Sequence, residues 1–451
     1  MKIKSSGLAP WSTLLVAGSA QFLVLLESTI ITVAIPPLGA ALGDGGWLAW
    51  VLSGYLLAFG ALLLPGGVWA DRTGRRRVFL AGLGAFAITS ALCAIAPTIE
   101  ALVAARVLQG ASAGVLAASA LGIVLTRYTE PRERAVALTV WSALGVIGAV
   151  VGSLIAGPLI LFSGWPGVFW INVVAAAGLV PLALRVIPSS VAATGTLRVW
   201  PALVASAGTA AILAGLSITG RAGSGGIALA VVGAVLVVGV VLMQSRAASP
   251  ILPVRLFRLP SYRIAASGLF LGNGLMIATM FASSRHLQDH HALSAATASL
   301  AVLPMALAAL VIAFLADPLI SRLTEAVVLR AAALSLVAGA GLLWAVSLVD
   351  APWGWLIPGG VLIGAGLPAS FVILNRRAFA QVDPVEAGAA SGFTTMLTTI
   401  GGAVCVAVAA LAAGLGGQAG AYGVLLVSSL VIAALSAVRG SAGSGSRRRP
   451  R

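Results

Sequence analysis

The sequence predicts an all-α protein that crosses a membrane many times, and three observations lead to this fold class. Hydrophobic residues make up 60% of the 451-residue chain, charged residues only 9%, and the mean hydropathy is +1.07. A water-soluble domain carries about a quarter charged residues, so a soluble enzyme of this size is excluded. The apolar residues form long runs, and the basic residues between them are biased to one side.

Fourteen apolar runs are long enough to form membrane-spanning helices, which need about 20 residues each. They lie at 12–36, 47–69, 78–98, 100–125, 136–161, 166–187, 199–219, 225–245, 263–284, 294–316, 326–349, 353–374, 388–415 and 421–438. The first run follows two lysines, as a signal peptide does, but its apolar pattern continues to Pro36 and Pro37. We therefore interpret it as an uncleaved first membrane helix.

The Lys and Arg residues predict the orientation of the helices. Of the 27 basic residues, all but Arg106, Arg221 and Arg285 fall on one side of the predicted membrane. Because positive charge concentrates on the cytoplasmic side, we expect both termini in the cytoplasm and the chain in the inner (plasma) membrane. The net charge of +15 is then attracted to the lipid bilayer, through its anionic inner leaflet, and not to nucleic acid.

The connection between the second and third predicted helices carries the most specific pattern in the sequence. Its glycines and charged residues are Gly67, Asp71, Arg72, Gly74, Arg75 and Arg76. The bias of basic residues toward the cytoplasmic side explains the arginines in this loop, but it does not explain an acidic residue between two glycines. Gly74 permits a tight left-handed turn, and an arginine can engage a carboxylate.

Two opposite charges lie inside predicted spans, Glu27 in the first and Arg106 in the fourth. An arginine within a span costs about 2.5–3.5 kcal/mol and normally faces the bundle interior with a partner. At 1.5 Å per residue, Glu27 lies about 13 Å from the end of its span near Pro36, and Arg106 about 12 Å into its own. Equal depth predicts an ion pair. Two alternatives remain open: Arg106 extends to the outer surface, or Glu27 is a purely structural counter-ion.

Small and polar residues mark two further features. In the fifth span, spacings of three and four place Gly145, Gly148 and Gly152 on one face, where another helix can approach closely, and Gly157 and Pro158 follow them. A generic packing face explains these glycines as well.

Four polar residues are candidates for the wall of a substrate cavity: Gln21, Asn273, Thr395 and Thr398. Hydroxyl groups bonded to their own helix would account equally well for the threonines.

These motifs resemble those of the major facilitator superfamily, in particular its fourteen-helix drug:proton antiporters. The loop matches G-x-x-x-D-R-x-G-R-R, and Arg106, Gln109 and Gly110 match R-x-x-Q-G. The first helix is similar to L-D-x-T-I-V-N-V-A-L-P, with Glu27 in place of Asp and Thr32 in place of Asn. The fifth helix is a weakened form of G-x-x-x-G-P-x-x-G-G, the antiporter signature.

The resemblance implies a major-facilitator fold with two six-helix bundles and two extra central helices. We expect the N-terminal bundle at 1–190, the two extra transmembrane helices and a linker at 191–261, the C-terminal bundle at 262–438, and a basic cytoplasmic tail at 439–451. A weaker form of the loop motif also follows the second helix of the later half. This repetition supports two duplicated six-helix bundles. In this family the loop closes the cytoplasmic side during transport.

The resemblance also implies a function: proton-coupled export of lipophilic neutral or monocationic drugs, antibiotics or secondary metabolites by alternating access. Glu27 and Arg106 would couple proton movement to transport. The sequence has no glycine-rich loop ending in Gly-Lys-Ser/Thr, so we expect no cofactor and a proton gradient as the energy source. We expect a monomer that binds its substrate and protons.

Other interpretations stay open at this point. An importer or facilitator of a small metabolite could share the fold, and a non-transporting membrane sensor or scaffold belongs to a different class. A membrane enzyme is disfavoured, because no cluster of catalytic residues lies at one depth. His286, His290 and His291 lie in one predicted outer loop, where we expect solvated histidines and no metal.

Overall fold

A computed structural model describes residues 9–43, 46–128, 130–188, 200–222, 224–247, 254–349, 351–382 and 387–437. The described residues form long α-helices and no β-strand. The helices are α1 (Ala9–Leu42), α2 (Leu48–Thr73), α3 (Arg75–Ala94), α4 (Ile99–Arg127), α5 (Pro131–Ser163), α6 (Gly167–Val186), α7 (Trp200–Ala222), α8 (Ser224–Arg246), α9 (Pro260–Arg285), α10 (Ala295–Arg322), α11 (Glu325–Leu348), α12 (Leu356–Phe379) and α13 (Ala387–Ala437). Short turns of 3-10 helix (Val254–Arg258, Trp353–Trp355) and π-helix (His286–His290) complete the described part. The prediction of an all-α polytopic membrane protein is confirmed.

The last helix contains a break that separates two arms. Gly416 and Gly417 leave helical geometry inside α13, and Gly417 has a φ of 61°. The predicted runs 388–415 and 421–438 therefore correspond to the two arms. Within the described residues, twelve helices are long and apolar enough to span a membrane, with α13 taken as one and α7 too short in its apolar part. The count of fourteen spans stays a prediction.

The first helix is longer than the sequence indicates. We expected α1 to end near Pro36, but it continues through Pro36 and Pro37 to Leu42. Membrane helices tolerate proline because neighbouring helices and local adjustments satisfy the freed backbone groups. Glu27 therefore lies deeper below the end of its helix than the sequence-based estimate gave.

Local chemistry explains where several helices begin. Thr98, Ser294 and Thr324 cap α4, α10 and α11 by accepting a hydrogen bond from the backbone three residues later. Pro131 and Pro260 occupy the first turns of α5 and α9, where the missing N–H costs nothing. These five residues therefore define where their helices begin.

The helices pack in two groups. In the first, α2 lies against α4, α1 against α5, and α3 against α4 and α6; in the second, α9 lies against α13, and α12 against α10 and α11. The groups meet where α2 contacts α13 and where α5 contacts α10. We call the end of the bundles at the α2–α3 connection the basic end. We call the end at the α9–α10 connection the opposite end.

The helices α7 and α8 pack chiefly on each other, and α7 also contacts α2. Their backbones approach closely at Gly208 and Gly233, where an added Cβ would lie 2.9 and 2.4 Å from the facing carbonyl oxygen. The predicted boundary at residue 190 and the basic tail at 439–451 lie outside the described residues. The division of the chain into domains stays a prediction.

Candidate functional site

A buried ion pair lies at the centre of the first group of helices. Glu27 of α1 and Arg106 of α4 are both fully buried, and Arg106 Nη1 donates to Glu27 Oε1. The arginine therefore does not extend to the surface. Two charges taken out of water are costly unless their remaining atoms are also hydrogen-bonded, so the surroundings of the pair decide whether it can exist.

The guanidinium of Arg106 is held by α2 and by its own helix. Its Nε donates to the Val51 carbonyl at 2.8 Å, and its Nη1 also donates to Gln109 Oε1 at 2.6 Å. The group lies over the Tyr55 ring, 4.3 Å from the centroid, and 5.7 Å from that of Phe169. Such stacking stabilises a desolvated cation. Nη2 is buried without a hydrogen-bond partner among the described residues.

The carboxylate of Glu27 binds α6 as well as α4. Asn172 Nδ2 donates to Glu27 Oε2, so each carboxylate oxygen has a different donor. On the other side of the pair, Gln109 Nε2 donates to Ser90 Oγ of α3 at 2.7 Å. One polar network thus crosses the bundle from α6 through α1 and α4 to α3.

Sequence reasoning assigned no role to Asn172, Tyr55 or Ser90. One signal was available: Asn172 is a lone amide in the apolar α6, and a buried amide needs partners. Nothing in the sequence indicates which face of α6 or α2 is turned toward Arg106. Gln109 was placed in a motif, and its contacts with Arg106 and Ser90 give it a physical role.

The connection at the basic end contains the loop motif. Gly74 joins α2 to α3 with a φ of 103°, a conformation that L residues rarely adopt. Arg75 binds Asp71 at 2.7 Å, and Gly122 of α4 lies beside its side chain. Arg76 donates to the carbonyl of Leu184 at the end of α6.

Two other residues of the loop motif have less defined surroundings. Arg72 Nη1 is buried without a hydrogen-bond partner in the described part of the chain. At Gly67, an added Cβ would meet only Ala118 of α4, at 3.9 Å.

Glycines bring α4 and α5 into backbone contact with their neighbours. A Cβ at Gly110 would lie 2.1 Å from the Tyr55 carbonyl oxygen, and one at Gly148 would lie 2.3 Å from that of Phe22. At Gly152 the nearest atom would be Thr29 Oγ1, at 2.3 Å. The helix pairs α2–α4 and α1–α5 therefore have no room for a methyl group at these positions.

The end of α5 instead contacts the second group of helices. At Gly157 an added Cβ would lie 2.3 Å from the Cα of Ala296 in α10. The next residue, Pro158, is exposed. Gly157 and Pro158 therefore lie apart from the face of α5 whose glycines pack on α1.

The structure divides the four candidate cavity residues. Asn273 Nδ2 donates to the Thr398 carbonyl at 2.8 Å, whereas Thr398 Oγ1 donates to the carbonyl of Thr395 in its own helix. Thr395 is exposed, and Gln21 lies half-buried beside Gly145 on the α1–α5 side. A groove of about 480 Å³ lies between α9 and both arms of α13, lined by apolar side chains, and includes none of the four among the described residues.

An apolar helical assembly built around a buried ion pair is the architecture of a membrane transporter. The sequence matches the family described as the Major Facilitator Superfamily over residues 17–406. The chain belongs to this superfamily, and it is a transporter and not an enzyme. The resemblance drawn from its motifs is confirmed.

Three similar proteins are antibiotic export or resistance proteins of actinobacteria. The chain is 35% identical over 418 residues to the cephamycin export protein CmcT of Amycolatopsis lactamdurans, covering 88% of this chain and 84% of that protein. It is 32% identical to the puromycin resistance protein pur8 of Streptomyces alboniger (88% and 80% covered). It is 30% identical to the tetracenomycin C resistance and export protein of Streptomyces glaucescens (88% and 75%).

Solved structures support the fold. The xylose transporter XylE from E. coli, in a partially occluded inward-open conformation, superposes with a TM-score of 0.69 at 12% identity, covering 97% of this chain and 99% of that one. The human organic anion transporter MFSD10 superposes with a TM-score of 0.60 at 17% identity, covering 95% and 99%.

Proposed function

We propose that the protein exports lipophilic small molecules, of the antibiotic or secondary-metabolite class, in exchange for protons. The names of the three relatives support export of antibiotics, and the superfamily supports secondary transport. The observation that carries the proton part of the proposal is the fully buried pair of Glu27 and Arg106. An ionisable pair inside a membrane helix bundle is a functional candidate by default.

The partners of the pair indicate what protonation of Glu27 would release. Arg106 is also bound to Val51 and Gln109, so the cation stays with α2 and α4 when the carboxylate is neutralised. Glu27, on α1, is also hydrogen-bonded by Asn172 of α6 and by the side chain of Gln109 of α4. Neutralising the carboxylate therefore removes its attraction to the cation and leaves only neutral hydrogen bonds. Protonation would therefore weaken the contact between two pairs of helices, α1 and α6 on one side and α2 and α4 on the other. A transporter needs such a change between its two states.

The charge of the site supports a limit on the substrate. Glu27 is the only buried carboxylate within the described residues, and Arg106 already neutralises it. A dication would find no second negative charge to compensate its desolvation. We therefore expect neutral or monocationic substrates with large apolar surfaces, with no cofactor beyond the proton gradient.

The distribution of basic residues supports an orientation in the plasma membrane. The connections rich in arginine would face the cytoplasm, together with both termini. A monomer suffices for this mechanism, because all partners of the ion pair belong to one chain. Lipid would cover the apolar outer surfaces of helices such as α8, whose side chains are largely exposed.

Transport into everted membrane vesicles tests the proposal. A lipophilic monocationic dye should accumulate when the vesicle interior is acidified, and a protonophore should abolish the accumulation. Glu27→Gln should lose this transport because it cannot titrate, and Glu27→Asp is the matched control that should retain it. Proton-dependent accumulation by Glu27→Gln would refute coupling at this residue. Accumulation only in right-side-out vesicles would indicate an importer.

A further inference from the structure

The three histidines of the chain come together at the opposite end of α9. The sequence contains no others, and His286, His290 and His291 each offer a ring nitrogen within 4.8 Å of the other two. Their ring centroids are 5.0–5.2 Å apart. Residues five apart meet face to face because the turn is π-helical, with a backbone bond from His291 N to the His286 carbonyl at 3.3 Å. Single π-helical turns occur frequently at functional sites.

Two observations at this cluster point to a ligand. His291 Nε2 is buried and has no hydrogen-bond partner among the described residues, which is costly for a polar atom unless something binds there. His286 Nδ1 contacts the Tyr422 hydroxyl of α13 at 3.2 Å, so this ring is held from outside the cluster. A metal-binding histidine commonly has such an outer partner, which fixes the ring and its tautomer.

We propose that His286, His290 and His291 form a site for a borderline transition-metal ion such as Zn²⁺. Three imidazoles with an open fourth position form a common zinc site, with Zn–N distances of about 2.0–2.1 Å. That geometry brings ligand nitrogens to roughly 3.3 Å from each other. Because the His286 and His291 rings are stacked nearly parallel and an imidazole lone pair lies in its ring plane, one of the two rings must turn about its side-chain bonds to bind the same ion. His290 is exposed, which leaves an entry path for the ion.

The position of the site gives the metal a structural consequence. Gln288, inside the same turn, donates through Nε2 to the Val33 carbonyl of α1 at 3.0 Å. This bond joins the two groups of helices at the opposite end. A metal held by His286 and His290 fixes the turn on both sides of Gln288. Occupancy therefore stabilises the α9–α1 contact and disfavours separation of the groups at this end.

Metal binding is tested with purified protein that carries no polyhistidine tag, in lipid nanodiscs. Co²⁺ titration should produce the visible absorption bands of nitrogen-bound Co²⁺ at one ion per chain, and Zn²⁺ should displace it. His290→Gln and His291→Gln should each weaken Zn²⁺ binding at least about tenfold, and Tyr422→Phe about tenfold, as loss of an outer partner does. Unchanged affinity in both histidine variants would mean an adventitious ion only and overturn the site.

Hydrogen exchange tests the consequence without relying on transport, so its outcome is independent of the proposed function. Zn²⁺ should slow amide exchange in the turn after α9 and in α1 after Val33. Gln288→Ala is the matched control: it should bind Zn²⁺ as the parent protein does, with protection confined to the turn. Protection of α1 that persists in Gln288→Ala would overturn the link between the metal and the α9–α1 contact.

Discussion

The stability losses caused by removing the two charges of the buried pair one at a time should sum to more than the loss caused by removing both together. Breaking a buried pair from one side typically costs about 3–5 kcal/mol, because the remaining charge has lost its partner. Glu27→Gln leaves Arg106 with the Val51 carbonyl, Gln109 and the Tyr55 ring. We therefore expect a loss near the lower limit, about 3 kcal/mol.

Arg106→Gln should be the more harmful single change. It leaves the Glu27 carboxylate with two neutral partners, Asn172 and Gln109, and no cation, so we expect a loss of about 5 kcal/mol. In the double variant, Glu27→Gln with Arg106→Gln, no buried charge remains. Its destabilisation should fall short of the sum of the single losses by about 2–3 kcal/mol, the range for strongly coupled neighbours.

Thermal unfolding in nanodiscs, followed by the fluorescence of the 11 tryptophans, measures all four proteins of this cycle. The double variant should unfold at about the same temperature as Arg106→Gln alone, well above the temperature that additive losses would give, and it should still lack proton-dependent transport. Additive losses would refute the reasoning, because they would mean that neither charge depends on the other. Restored transport in the double variant would refute the proton-coupling role.

Three further predictions concern packing, the loop and the substrate. Gly148→Ala should destabilise the protein by about 1–3 kcal/mol, because the methyl group overlaps the Phe22 carbonyl. Gly178→Ala is the control: its added methyl group has no atom within 4 Å, so this variant should unfold at no lower a temperature than the parent protein. Asp71→Asn should fold normally but alter the balance of open states, read from cysteine labelling at the basic end; unchanged labelling and transport would make the loop a topology signal only. Cells expressing the protein should resist mono-quaternary compounds more than bis-quaternary ones, and selective protection against the dications would contradict a site with Glu27 as its sole buried acid.

The helices could be predicted because the bilayer allows few alternatives. A run of about 20 apolar residues in lipid must satisfy its backbone internally, so its length and its flanking charges identify it. The same constraint explains one wrong expectation. Pro36 does not end α1, because neighbouring helices satisfy the backbone groups that proline frees. The break at Gly416 and Gly417 falls between the last two predicted runs.

The ion pair could be predicted in part, and its environment could not. The cost of a lone charge in lipid made Glu27 and Arg106 the natural partners for each other, and counting residues gave them similar depth. The positions of Asn172 and Tyr55 depend on the rotation of α6 and α2 about their axes. That rotation is set by packing over whole helix faces, where glycines such as Gly110 permit contacts that no local pattern specifies.

A proton switch in the first group of helices must act on the second group, and the contacts of α1 and α5 supply the connection. The backbones of the two helices are in close contact at Gly148 and Gly152, so we expect α1 and α5 to move together. Each also touches the second group at the opposite end, α1 through Val33 and α5 through Gly157. A displacement of α1 on protonation of Glu27 would therefore carry α5 with it and strain both contacts at once. In this way one buried carboxylate can influence the interface between the two groups of helices, although its own hydrogen-bond partners all lie in the first group.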